Sequence, residues 1–407
     1  MNCPEYVKNC IDMLERAGFS AYAVGGAVRD SLLGLEPSDW DVTTSALPEQ
    51  TLEVFENFRT IPTGIKHGTI TVLFENGGKM SPIEITTFRI DGEYRDSRHP
   101  ETVMFSDKIC DDLSRRDFTV NAMAYSEKCG IVDAFGGRDD LENRIIRAVG
   151  DPEKRFSEDA LRILRAFRFS AQLGFEIEEN TLAGASKCAH LLKNIARERV
   201  GVEIKKLLSC QKCEYSMQKM IDCGVWECIF NFSAPEMDII LRLENMESNS
   251  FALRLAAAID HLTELEREEL LTNLRLSNDE KKRVTRLCSV KKFKFDNAEN
   301  SDASARRFLH FYNDILEDST KMLAFWHGDE ALSFVSVVEE ERAKGHALTI
   351  AALDIRGNDI LPFCEGDYAI VGKILEWLLK NVIENPTLNK KEILLEMAKE
   401  YIRKSSQ

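Results

Sequence analysis

Two acidic residues separated by one position, Asp39 and Asp41 in Ser38-Asp39-Trp40-Asp41-Val42-Thr43, carry the first chemical signal in the chain. On an extended strand, residues i and i+2 face the same way, so the two carboxylates would stand about 6–7 Å apart on one side. Like charges at that spacing repel unless a cation lies between them. An all-oxygen donor set suits Mg²⁺ that is also bound to substrate phosphates. Alternating acids on a solvated strand face are the competing explanation. Glu84, in Pro82-Ile83-Glu84-Ile85-Thr86, is a possible third carboxylate from a neighbouring strand.

A place for phosphates lies just upstream. Gly25-Gly26-Ala27-Val28-Arg29-Asp30 follows the apolar run Ala21 to Val24. Paired glycines at a strand-to-helix turn let backbone N–H groups approach an anion, and the helix dipole favours negative charge there. A plain tight turn would need the same glycines. Further on, Arg115-Arg116-Asp117-Phe118-Thr119-Val120-Asn121 offers guanidinium groups for phosphate oxygens, with Asn121 and Asp117 as polar contacts to a ribose. Each of these could equally cap a helix or brace a turn.

The elements that must position these residues change character along the chain. Up to residue 150, short β-rich runs (Ala21 to Val24, Gly68 to Phe74, Ile83 to Phe88) alternate with glycine turns, as in an α+β domain. After Asp151-Pro152 helical periodicity dominates, for example over Ala160 to Leu173, Arg197 to Leu208 and Tyr368 to Val382. The length, 407 residues, predicts two to four domains. No apolar run reaches the roughly 18–20 residues that would cross a bilayer, and the N-terminus lacks a secretion signal. Eleven cysteines, an odd count, read as reduced thiols of a soluble cytoplasmic protein. Cys210, Cys213, Cys223 and Cys228, in a segment that reads as helical, are expected to be core thiols and not zinc ligands.

The net charge of −15 argues against nucleic acid as a partner only if charge is spread evenly. It is not. Residues 281–294 hold Lys281, Lys282, Arg283, Arg286, Lys291, Lys292 and Lys294, and no acid. A solvated helix face and a phosphate-contacting surface both fit such a run.

In this order, and with Glu158-Asp159-Ala160-Leu161-Arg162-Ile163-Leu164-Arg165-Ala166-Phe167-Arg168-Phe169 and Arg197-Glu198-Arg199-Val200-Gly201-Val202-Glu203 following, the motifs resemble the class II tRNA nucleotidyltransferase and bacterial poly(A) polymerase family over nearly the whole chain. The resemblance implies a DNA polymerase beta-like nucleotidyltransferase head at 1–150, then an all-helical neck at 151–215, body at 216–300 and tail at 301–407. It implies two Mg²⁺ ions on Asp39 and Asp41, and a nucleotide held by Gly26, Arg29, Arg116, Asn121, Asp159, Arg162, Arg165 and Arg168. The substrates would be CTP, ATP and tRNA, whose phosphates would meet residues 281–294. The expected activity is template-free addition of the 3′-terminal CCA.

Base choice has a physical rationale. On one helix, Asp159 and Arg162 would lie about 5–6 Å apart on one face, an acceptor beside a donor. Cytosine (N4 amino, N3) and adenine (N6 amino, N1) match that order. Uracil and guanine reverse it, leaving buried groups unpaired at about 1–3 kcal/mol each. An internal helical salt bridge is the alternative for this pair. The polar segment Arg89 to Pro100 resembles the family's loop needed for adenosine addition, which disfavours CC-only activity and leaves A-only addition open. Leu353 to Ile360 and Asn389 to Glu392 resemble the family's tail. The absence of a His-Asp dipeptide predicts no phosphohydrolase activity of the kind some relatives carry. A poly(A) polymerase, a small-molecule nucleotidyltransferase and a non-catalytic RNA-binding relative are the rival functions.

Overall fold

A computed structural model of the chain describes residues 1, 3–92, 103–246, 248–295, 301–364 and 367–405. They divide into two units, 1–244 with 268–275, and 245–267 with 276–407.

The first unit begins with the α+β head. Seven strands form one sheet in the order β3-β4-β5-β2-β1-β8-β9. They are β1 Ala21–Val24, β2 Asp41–Thr44, β3 Arg59–Gly64, β4 Thr69–Asn76, β5 Lys79–Thr87, β8 Met123–Ser126 and β9 Gly130–Asp133. Alternation explains the long pair: Ile70, Val72 and Phe74 of β4 and Ile83 and Ile85 of β5 are buried, while the residues between them are less so. The pairing is antiparallel except between β2 and β5, which run parallel with Asp41 in register with Glu84. The amphipathic helix Glu5–Arg16 buries Val7, Cys10, Ile11 and Leu14. A small hairpin pairs β6 Arg89–Asp91 with β7 Val103–Phe105. Of the expected loop from Arg89 to Pro100, residues 93–100 lie outside the described residues.

Beyond Asp151 the regular elements among the described residues are helices, apart from the strand Glu176–Ile177, which pairs in parallel with Ile145–Ile146. Asp151 caps the helix Pro152–Glu158 by accepting from the Glu153 N–H at 2.9 Å. That helix stops at Glu158, Asp159 is extended (φ −145°, ψ 102°), and a new helix runs over Leu161–Leu173. Asp159 Oδ1 accepts from the Leu161 N–H at 3.1 Å, so its carboxylate helps to start the second helix. Cys210 and Cys213 lie in the turn between helices Arg197–Leu208 and Glu214–Asp222, where the sequence reads as helical.

In the second unit, Leu353, Ile360, Ile374, Leu378, Val382 and Leu394 belong to one buried cluster around the helix Tyr368–Glu384. The buried Arg306 donates to the carbonyls of Ile383 and Glu384 at 2.6 and 2.9 Å, closing that helix's C-terminal end. The basic run occupies the helix Asn278–Val290 and the turn after it. Three of its seven cations are internally neutralised, contrary to a continuous field of free charge. Arg283 pairs with Asp318 at 2.7 Å, Arg286 with Asp314 at 2.6 Å, and Lys291 with Asp260 at 2.6 Å. Lys282, Lys292 and Lys294 are exposed and make no ion pair with a described residue. Among the described residues, no helix is long and apolar enough to cross a membrane.

Candidate active site

A cleft of about 950 Å³ opens in the first unit and gathers residues from distant stretches of sequence. Gly25, Gly26 and Arg29 come from the turn after β1, Asp39 and Asp41 from the start of β2, and Arg116, Asp117 and Asn121 from the segment before β8. Arg165, Arg168, Phe169 and Gln172 come from the helix Leu161–Leu173, and Lys205 and Lys206 from the helix Arg197–Leu208.

The acidic side is built by the parallel β2–β5 pairing. Asp41 opens β2, while Asp39 precedes the strand, where its Oδ1 accepts from the Ser38 hydroxyl at 2.8 Å. Asp41 keeps one side open to solvent and is otherwise walled by the cleft. That burial, with Glu84 and then Asp39 adding negative charge, pushes its carboxyl up to about 6 against the pull of Arg116. Glu84 thus stands in register beside Asp41 without lining the cleft. Among the described residues no three His, Cys, Asp or Glu side chains gather closely enough to hold a metal. The donors that remain still fit Mg²⁺: two all-oxygen carboxylates, one of them short of positive charge, leaving room for water and phosphate.

This predicts a pH dependence. A divalent cation held by Asp41 would compete with its proton, so activity that depends on that cation would fall, when the cation is limiting, as pH drops through about 6. Glu84→Gln removes a charge that raises this pKa and moves the acid limb to lower pH. Activity–pH profiles at two Mg²⁺ concentrations check both statements; an unmoved limb in Glu84→Gln contradicts them.

The basic side of the cleft depends on one glycine. Gly25 has φ 72°, and a Cβ there would come within 2.9 Å of Arg116 Nη1. Arg116 is braced by Asp112 at 3.3 Å, which also takes Arg115 at 2.7 Å. Burial of Asp112 is outweighed by these two arginines, and its carboxyl stays below the usual range. Arg29 is buried and donates to Asn121 Oδ1 at 2.6 Å, and Asn121 Nδ2 donates in turn to Asp117 Oδ1 at 3.2 Å. Asp117, expected to reach a ribose, is instead spent on internal partners: the Phe118 N–H at 2.9 Å and Arg165 at 2.6 Å. Its burial is outweighed by the Arg165 ion pair and these hydrogen bonds, and its carboxyl falls to about 2.

The residues expected to read the base are arranged differently from expectation. Because the helix breaks at Asp159, Asp159 and Arg162 do not share one helix face as an i, i+3 pair. Asp159 takes Arg199 at 2.7 Å, while Arg162 donates to Glu158 at 2.6 Å and to the Arg115 carbonyl at 3.1 Å. Neither lines the cleft, whereas Arg165 and Arg168 do. Sequence reasoning missed Phe169, Gln172, Glu203, Lys205 and Lys206 as parts of the site. The buried Glu203 binds Arg168 at 2.6 Å. The signal for Glu203 lay in the motif containing it, whose acid must neutralise something once buried.

Comparison with known proteins identifies the family. Residues 21–147 match the poly A polymerase head domain, and residues 174–240 the probable RNA and SrmB-binding site of polymerase A. A CCA-adding enzyme of Ligilactobacillus salivarius is 36% identical over 98% of each chain. One of Staphylococcus epidermidis is 34% identical, again over 98% of each. Among solved structures, the Bacillus stearothermophilus CCA-adding enzyme in complex with CTP matches with a TM-score of 0.81 at 29% identity, covering 100% of this chain and 99% of that one. With a polymerase-type head, a cleft that joins two carboxylates to a wall of arginines, and near full-length relatives, this chain belongs to the CCA-adding enzyme family of tRNA nucleotidyltransferases.

Proposed function

We propose that the protein completes the 3′ end of tRNA in this cleft, adding cytidine twice and adenosine once from CTP and ATP without a nucleic-acid template. The observation that carries the reading is the gathering, in one cleft, of Asp39 and Asp41 with Arg29, Arg116, Arg165 and Arg168. The relative of known structure binds CTP and matches the whole chain.

Asp39 and Asp41 would hold Mg²⁺, which when bound lowers the pKa of the attacking 3′-hydroxyl and neutralises charge on the triphosphate. The Gly25-Gly26 turn leaves space for phosphate oxygens close to the backbone, and Arg29, Arg116 and Asn121 orient the triphosphate and sugar. The 3′-oxygen attacks the α-phosphorus, the bond to the β-phosphate oxygen breaks, and pyrophosphate leaves. Positioning and charge neutralisation suffice, with no covalent enzyme intermediate.

Asp159 and Arg162 remain the proposed base readers. To serve, they must exchange Arg199 and Glu158 for the base edge. Arg162→Ala is expected to narrow the preference for CTP over UTP by about tenfold or more, the value of one unpaired buried group. Competing CTP and UTP incorporation measures this, and unchanged discrimination contradicts the assignment.

For the tRNA partner, Lys282, Lys292 and Lys294 are the phosphate-contact candidates. Lys282→Ala should weaken tRNA binding and reduce the slope of log K against log salt by about one, whereas Arg286→Ala, already paired with Asp314, should change the slope little. Equal effects would contradict the division between paired and unpaired cations. A cytoplasmic location belongs to the same reading, since an odd number of cysteines suits a reducing compartment.

The test of function uses tRNA transcripts lacking all of CCA, the final CA, or only the final A, each with one labelled nucleotide. Stepwise completion is expected. Long adenosine tails would indicate a poly(A) polymerase, and labelling only of the transcript lacking A would indicate an A-adding enzyme.

A further inference from the structure

We propose that Phe169 is a positioning residue for the nucleotide triphosphate, its ring gathering three guanidinium groups into a single anion-binding wall. The inference rests on the reading of the cleft as a nucleotide site. The guanidinium carbons of Arg29, Arg165 and Arg168 lie 5.1, 5.2 and 3.8 Å from the ring centroid. Arg29 belongs to the helix Gly26–Leu32, while the other two share the helix Leu161–Leu173 with Phe169 itself.

Three cations crowded this closely repel one another. Each has its own acid: Arg29 pairs with Asp30 at 2.7 Å, Arg165 with Asp117 at 2.6 Å and Arg168 with Glu203 at 2.6 Å. Those acids sit on separate elements, so none of them holds the three arginines together. The electron-rich ring is what the three have in common, and attraction of cations to it opposes their dispersal. The ring is itself fixed, being 6% exposed and packed edge-on against Phe118 at 5.8 Å and 80°. Arg165 Nε donates to Asp117 and Arg168 Nη1 to Gln172, while Arg165 Nη2 and Arg168 Nε approach Asp117 and Glu203 as ion pairs at 2.6 Å. Arg165 Nη1 and Arg168 Nη2 therefore make no hydrogen bond with a described residue and remain for phosphate oxygens. Phe169 acts through these arginines and does not itself contact the phosphates.

The test varies the ring's electrostatics at constant shape. Phe169 is replaced by mono-, di- and trifluorophenylalanine in the full-length protein. The dissociation constants of inorganic tripolyphosphate and of CTP are measured together with the thermal midpoint, and Phe169→Tyr serves as the conservative variant. The expected result is a stepwise weakening of both ligands, at least about threefold across the series, with the midpoint nearly constant and Phe169→Tyr within about twofold of the parent. Unchanged affinities across the series, with the parent binding normally, would overturn the positioning role alone. A parent that binds neither ligand would instead overturn the reading of the cleft.

Discussion

Asp41→Ala is expected to lower nucleotide incorporation by at least about a thousandfold, because a lost anchor for a charge-neutralising ion forfeits several kcal/mol of transition-state stabilisation. Asp39→Ala should behave alike. The effect should fall on turnover and not on folding or tRNA affinity. Asp41 has an open side to solvent and a carboxyl held up at about 6, so its removal relieves electrostatic strain in the folded state. The sign is therefore unusual: incorporation collapses while thermal stability stays level or rises slightly. Single-turnover incorporation, filter binding of tRNA and a melting curve on one preparation read all three. Retained turnover would remove the carboxylates from the mechanism, and a large loss of stability would make them structural.

The largest expected effect on stability comes from the opposite kind of acid. Asp117 is buried, bound by Arg165 and Asn121, and shifted down to about 2 from its ordinary 3.8. Arg165→Met strands that carboxylate and should destabilise the first unit by about 3–5 kcal/mol, read as a lower urea midpoint. Because the folded-state pKa is depressed, the contribution of Asp117 is fully present above the ordinary carboxylate pKa. It is lost as pH falls through about 2, with roughly 2 kcal/mol at stake. Between about pH 4 and pH 2 the parent should therefore lose stability more steeply than Arg165→Met, in which Asp117 has no depressed pKa to give up. Parallel pH profiles for the two proteins would contradict this assignment.

The contrast between Asp41 and Asp117 shows which parts of the site could be read from sequence. Asp39 and Asp41 were legible because they are close in sequence, although only Asp41 lies on the strand, and Glu84 because a neighbouring β-rich run could bring it alongside Asp41. The Gly25 turn was legible because a strand-to-helix reversal at φ 72° demands glycine. The α+β head and helical remainder followed from a change of periodicity at Asp151-Pro152.

What escaped depends on partners distant in sequence. The acids that neutralise Arg283, Arg286 and Lys291 are Asp318, Asp314 and Asp260, all outside the basic run. Inspection of residues 281–294 alone overstates their free charge. Asp117 could not be seen as internal until Arg165 was placed beside it. The Asp159–Arg162 pair is a different matter, since its signal was available. Aspartate favours the first capping position of a helix, and Asp159 stands immediately before Ala160-Leu161. A start at that residue breaks the i, i+3 geometry that a continuous helix would have given.

The two carboxylates and the arginine wall must enclose one nucleotide. Crystals soaked with Mn²⁺ and a nonhydrolysable CTP analogue, measured for anomalous scattering, test it most directly. The expected map shows a metal peak bridging Asp39, Asp41 and the analogue's phosphates, with the phosphate chain against Arg29, Arg116, Arg165 and Arg168. An analogue bound elsewhere, or bound here with no metal at Asp39 and Asp41, would contradict it.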